Sequence, residues 1–297
     1  MSAQGLAGPG RHADHLARRR RVNRTMEILA WVAAAIAIGI LVIVVYSVAR
    51  KGASELNLNL ITKDPIPFSL TNAPQGLANA FAGTLVIVGF AILMALPVGI
   101  LVAIYLNEFA PAAIRNGVSM VLDILNGVPA IVIGIFVYGL LVLGHGQSAL
   151  AGSFALACLM LPLVARATME VLALVPNALR EAGLGLGIAR WRVTLSIVVP
   201  QTVGGIVTGT VLAVARVAGE TAPLLFTSSI VGTQTDWSPF HALQSIPVAI
   251  YELSESPDPA DHARAWAAAL VLLIFILFAS LGARWLATRS RAKMAAR

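Results

Sequence analysis

The sequence predicts an all-α, polytopic membrane protein of six transmembrane helices, with both termini on the inner side. Three observations predict it. Apolar residues make up 58% of the 297 positions and charged residues only 12%, where a soluble domain carries about 25% charged residues. The uncharged runs are long: Ile28 to Ala49, Pro65 to Asn107, Ile124 to Ala165 and Ala265 to Ala283. A helix needs about 20 apolar residues to cross the hydrocarbon core. The third observation is how the basic residues are distributed once the spans are set.

The spans fall near 26–49, 78–107, 117–143, 148–175, 193–232 and 264–286. The first is too long in its apolar part, and too poorly followed by a small-residue cleavage site, to be a signal peptide. With the N-terminus inside, the inner segments hold Arg11, Arg18 to Arg21, Arg24, Arg115, Arg180, Arg190, Arg192, Arg284, Arg289, Arg291, Lys293 and Arg297. The outer loops hold only Arg50, Lys51, Lys63 and Arg264, and Arg166 and Arg216 stay at membrane depth. This asymmetry fixes the orientation and accounts for the net charge of +7 without nucleic acid. The basic tails are solvated or lie near anionic lipid headgroups.

Four parts follow along the chain. Residues 1–24 form a basic tail expected to be disordered, 25–77 hold the first span and an outer loop, 78–286 form the core, and 287–297 form a second basic tail. Pro65, Pro67 and Pro74 forbid one continuous helix through the loop 50–77. The outer loop 233–261 is acidic, with Asp236, Glu252, Glu255, Asp258 and Asp261. Glycines at 83, 89, 99, 205 and 209 offer small surfaces for helix packing. Gly127, Pro129 and Pro223 mark bends within spans, where neighbouring helices can satisfy freed carbonyls.

The chemistry sits in two places. The first is a pair of Arg-x3-Glu units, Arg166 with Glu170 and Arg216 with Glu220. Residues four apart share a helix face. An arginine at the bilayer centre costs about 2.5–3.5 kcal/mol on insertion scales, so each must have a partner or face a wet cavity. The two readings are salt bridges between packed helices, which at best break even, and an anion pathway in which the guanidinium fork grips an oxyanion. Asp123, near the inner end of its span, can cap, pair locally or touch substrate. The second place is the inner segment 177–190, whose Leu179, Ala182, Leu186 and Ala189 recur at helical spacing.

Several chemistries are excluded. The single Cys158 precludes an intramolecular disulfide or a cysteine cluster, and the five histidines are scattered, so no metal site or catalytic residue is assigned. A phosphate-cradling Walker loop ends in Lys-Ser or Lys-Thr. The only lysines, Lys51, Lys63 and Lys293, stand in no such context, so ATP hydrolysis is not expected of this chain.

The inner segment reads EAGLGLGIARWRVTLSIVVP from Glu181 to Pro200. It resembles the EAA signature, EAA-x3-G-x9-I-x-L-P, of permeases in binding-protein-dependent ABC importers. Gly183 replaces the third Ala and Val199 replaces Leu, with the spacing intact. TLVIVGFAILMALPVGILVAIYLNEFA (84–110), LDILNGVPAIVIGIFVY (122–138), LMLPLVARATMEVLALVPNALREAG (159–183), TGTVLAVARVAGETAPLLFT (208–227) and ALQSIPVAIYELSESP (242–257) are similar to the PstA-type permeases of phosphate importers. The family's Arg-Thr-Thr-Glu-Glu pattern is here Arg166-Ala167-Thr168-Met169-Glu170, which leaves Glu170 as the only acid.

The resemblance implies a MetI-like ABC importer permease fold in the bacterial cytoplasmic membrane. It implies that 177–190 is a coupling helix seated in a groove of a separate ATPase. Glu181 would then pair with the ATPase or cap the backbone, Ala182 and Gly183 would lie close to it, and Gly187 would turn the chain. It implies a heterodimer with a PstC-like sister permease, two PstB-like ATPase subunits that use ATP and Mg, and an extracytoplasmic PstS-like phosphate-binding protein. Arg216, Glu220, Arg166 and Glu170 would line the pathway. Two other readings stay open: the same machine carrying sulfate or molybdate, and a passive anion channel or secondary carrier, which would need no ATPase and against which the EAA-like segment argues.

Overall fold

The computed structural model describes residues 9–66, 75–229 and 232–295. The described residues form helices and one isolated β-bridge, Ser229 with Gln244. Five helical stretches are long and apolar enough to cross a membrane, and a bent pair makes a sixth.

Helix α1 (Pro9–Gly52) belongs, up to Lys51, to a unit of its own. It is helical from Pro9, which corrects the expectation of a disordered tail over 1–24; residues 1–8 lie outside the described residues. Ile28, Trp31, Ile36, Ile40 and Ile43 are exposed around it, an all-round apolar surface that suits lipid rather than water.

The second unit runs from Gly52 onward. Its helices are α2 (Leu58–Thr62), α3 (Ala78–Glu108), α4 (Ala112–Gly127), α5 (Ala130–Val137), α6 (Ala149–Ala173), α7 (Asn177–Gly185), α8 (Arg190–Val193), α9 (Val199–Val217), α10 (Ala222–Thr227), α11 (Ile246–Glu255) and α12 (Pro259–Ala295). Its centre is the packing of α3 on α6. Ile87, Ala91 and Ala95 meet Leu156, Met160 and Val164. Towards the Glu108 end, Ala103 and Leu106 meet Ala165, Met169 and Leu172. Small residues alternate with large ones along this seam, so the two helices interdigitate over most of their length.

Helix α9 crosses α6 in the opposite direction. A Cβ on Gly209 would lie 2.6 Å from the Ala167 Cβ, and one on Gly205 would lie 2.5 Å from Val171. These glycines set the approach of the two helices. Gly89, by contrast, faces open space. On its other side α9 is tied to α12 by a bond from Thr208 Oγ1 to the Ala283 carbonyl, 3.1 Å.

Two expected spans are not single helices. The span 117–143 bends by 96° between α4 and α5, and closes with a π-helical turn over Tyr138–Val142. A residue before proline is driven out of the helical region. Val128 is accordingly extended (φ −69, ψ 129), and Pro129 (φ −57, ψ 134) caps α5. The span 193–232 begins with α8 and a π-helical turn, Thr194–Val198, and its long helix α9 stops at Val217. Gly219 is a weak helix former, and the proline at 223 begins α10 because its missing N–H is no loss in a first turn.

Candidate functional site

Arg166 lies on α6 but does not pair with Glu170. Its Nη2 joins the carboxylate of Asp123 on α4 and donates to the Ser119 carbonyl at 3.2 Å. Its Nε is buried and unpartnered among the described residues. Glu170 is exposed one turn further on. The i,i+4 expectation fails because α4 brings an acid to the guanidinium from a neighbouring helix. Asp123 therefore pairs across helices rather than within its own turn.

Arg216 sits in the last turn of α9 and is exposed. Glu220 is not on the same helical face, because α9 has ended. The chain at 218–220 closes in tight turns, with Gly219 N–H bonded to the Arg216 carbonyl at 3.2 Å and Glu220 N–H to the Val217 carbonyl at 3.0 Å. Among the described residues no ion pair or side-chain hydrogen bond engages Arg216. Glu220 is half-buried within the break, and Pro223 is buried just beyond it. Gly134 of α5 packs on Pro223, so closely that a Cβ there would lie 2.6 Å from the proline Cα. The two helix breaks, at 128–129 and 218–221, thus belong to helices that touch.

The level of the two arginines follows from the α6–α9 seam. Gly209 stands opposite Ala167, and Arg216 is seven residues further along α9, or roughly 10 Å at a rise of about 1.5 Å per residue. Arg166 and Arg216 therefore occupy different depths, with Arg166 held at its own by Asp123.

Within the segment 177–190, α7 covers Asn177–Gly185, and Arg190 already begins α8. It ends in a Schellman turn: Gly187 N–H bonds to the Leu184 carbonyl at 2.9 Å and Ile188 N–H to the Gly183 carbonyl at 3.2 Å. Gly187 takes the left-handed conformation, φ +76. Glu181, Ala182, Leu184 and Leu186 are exposed. Gly183 is not: it is buried against Val193 and Ile197 of the same chain. Its small size serves internal packing, which corrects its expected place beside a partner.

Sequence reasoning missed the best-satisfied ion pair. Arg180 on α7 meets Glu108 at the end of α3, Nη2 to Oε1 at 2.8 Å, with side chains 17% and 5% exposed. The residues are 72 apart in sequence, so no periodicity joins them. The available signal was that Glu108 follows directly on an uncharged run and Arg180 directly precedes Glu181.

At the opposite end of the unit, Asn79 Nδ2 donates to Gln244 Oε1 at 3.0 Å, and Gln244 donates on to Glu252. Burial pushes the Glu252 carboxyl above the usual carboxylate range, with the Gln244 hydrogen bond opposing and Asp261 adding to the rise. Glu252, Asp258, Asp261 and Arg264 line a cavity of about 560 Å³ there.

Residues 95–292 match the family model for the binding-protein-dependent transport system inner membrane component. The phosphate transport system permease protein PstA of Xylella fastidiosa (strain 9a5c) is 38% identical over 288 residues, covering 94% of this chain and 97% of its own. PstA 1 of Mycobacterium tuberculosis (H37Rv) is 42% identical over 224 residues, covering 73% and 72%. Among solved structures, an inward-facing MetNI methionine ABC transporter chain superposes with TM-score 0.56 at 16% identity, covering 72% of this chain and 94% of that one. A bacterial alginate ABC transporter chain superposes with TM-score 0.61 at 16% identity, covering 90% and 97%. At that identity the structures speak for the fold, and the fold is that of ABC importer permeases. By its sequence and its fold, the chain belongs to the family of binding-protein-dependent transport system inner membrane components.

Proposed function

We infer that the chain is the transmembrane permease subunit of an ATP-driven importer of inorganic phosphate and forms half of its translocation pathway. The observation that carries the pathway is Arg216. It is a charged guanidinium within a membrane span, exposed and engaging no side chain among the described residues. Its insertion cost of about 2.5–3.5 kcal/mol is offset if that face looks into a wet cleft completed by a sister permease. Its fork matches phosphate oxygens. Glu220, beside it in the break, keeps the anion from being held too tightly and can accept the proton of HPO4, which sulfate lacks. Arg166, tied to Asp123 at a different depth, serves as a separate step. Glu170, exposed one turn below, is the weaker member.

The PstA relatives support phosphate as cargo. Such a permease works in a bacterial cytoplasmic membrane with a PstC-like sister, two PstB-like ATPase subunits using ATP and Mg, and a PstS-like phosphate-binding protein outside. Positive-inside topology puts α7 on the ATPase side. Its exposed Glu181, Ala182, Leu184 and Leu186 are the docking face. Closure of the ATPase pair shifts α7, and the bundle opens outward to the loaded binding protein.

Competition in the reconstituted complex tests the cargo. Excess unlabelled phosphate should suppress uptake of labelled phosphate in proportion to dilution, while sulfate and molybdate at the same concentration should leave it unchanged. Equal suppression by sulfate or molybdate would transfer the assignment to that anion.

A further inference from the structure

Arg180 stands immediately before Glu181, yet its guanidinium turns away from the exposed face of α7. Nε donates to Glu108 Oε1 and Oε2 at 3.2 and 3.1 Å, and Nη2 to Oε1 at 2.8 Å. Nη2 also reaches the Leu172 carbonyl at 2.9 Å, and Nη1 reaches the Val175 carbonyl at 2.6 Å and Asn177 Oδ1 at 3.2 Å. Glu108 Oε1 accepts a further bond from Asn107 at 2.7 Å. Leu172 lies in the last turn of α6 and Val175 just beyond it, where unsatisfied carbonyls and the negative end of the helix dipole welcome a cation. One residue after Glu108, the Phe109 ring carries the Arg190 guanidinium 5.6 Å from its centroid. The two arginines that bracket the Schellman turn thus hold consecutive residues at the end of α3.

The other contact of α7 is of a different kind. Gly183 packs on Val193 and Ile197, an apolar surface without direction, and Ile197 belongs to the π-helical turn that leads into α9. Such turns interrupt the regular hydrogen-bond ladder and are places where helices kink. A planar fork saturated on several acceptors fixes angle as well as distance.

We propose that Arg180, held by Glu108, is the positioning residue through which α7 moves α3 and α6 as one body while α9 yields at its π-helical turn. This rests on the permease reading above, with α7 as the coupling helix. A buried pair is a poor source of net stability, and a hydrophobic pair would fill the same space. The fork gives instead a rigid joint between the surface that meets the ATPase and the helix that carries Arg166.

The test uses the full complex with a Cys158→Ser chain carrying one spin label on α6 and one on α9, compared with and without ATP. The unaltered joint should give an ATP-dependent change in the interspin distance. Glu108→Gln keeps the shape and loses the charge, and Arg180→Lys keeps the charge and loses the fork. Both should co-purify with the ATPase and hydrolyse ATP. Both should also lose most of the distance change and move at least tenfold less phosphate per ATP, with Arg180→Lys the milder. A full distance change and an unaltered phosphate-to-ATP ratio in Glu108→Gln would overturn the joint. So would loss of the ATPase, or failure to fold, in both variants, since the pair would then be an element of docking or folding. The distance readout needs no phosphate. If the unaltered complex shows the distance change but no phosphate uptake, the cargo reading fails while the joint is still judged.

Discussion

Arg216→Ala is expected to lower phosphate uptake at least roughly 30-fold while the chain still assembles with its partners. A charge-assisted bidentate contact of about 2–3 kcal/mol corresponds to roughly 30- to 150-fold. The substitution removes no ion pair or side-chain hydrogen bond among the described residues, and Arg216 is exposed. Stability should therefore stay within about 0.5 kcal/mol of the parent. Arg216→Lys keeps the charge without the fork and should fall between. Labelled phosphate uptake, measured beside co-purification of the partners, reads both effects. Near-normal uptake by a well-expressed Arg216→Ala protein would remove Arg216 from the pathway.

Substitution at Gly187 is expected to separate hydrolysis from transport in proportion to backbone strain. Gly187 has φ +76, and a Cβ there would meet nothing within 4 Å. Crowding within this chain therefore plays no part. A left-handed L-residue costs about 1–2 kcal/mol, roughly 5- to 30-fold in the population of the turn. Gly187→Asn should be nearly silent because asparagine tolerates this conformation. Gly187→Ala should lose several-fold in uptake. Gly187→Leu should be worst, with the ATPase uncoupled or detached, because its bulk on this exposed face adds a clash with the ATPase to the same strain. Uptake per ATP across the three variants gives the order, and a Leu variant that remains as coupled as the Asn variant would contradict it.

The apolar runs were legible because hydrocarbon demands length and leaves no room for charge, so α1, α3, α6 and α12 fall where their composition puts them. The bend at Val128–Pro129 was legible for a local reason, the restriction proline imposes on its predecessor. The end of α9 was less so. Gly219 and Pro223 each permit a break, and the four-residue spacing of Arg216 and Glu220 argued for continuing the helix. Beyond those local signals, Pro223 packs on Gly134 of another helix, a contact which no local pattern contains. The ion pairs were least legible. Arg166 with Asp123 and Arg180 with Glu108 join different helices, and their partners are chosen by helix packing rather than by sequence spacing. Gly183 shows the same limit: its place in the EAA-like stretch pointed outward, and its surroundings are Val193 and Ile197.

The most direct measurement is ATP-dependent uptake of labelled phosphate into vesicles holding the sister permease, the ATPase and the binding protein, with and without this chain. Uptake should be at background without the chain and restored when it is supplied. Uptake that proceeds unchanged in its absence would contradict the assignment of this chain as half of the phosphate pathway.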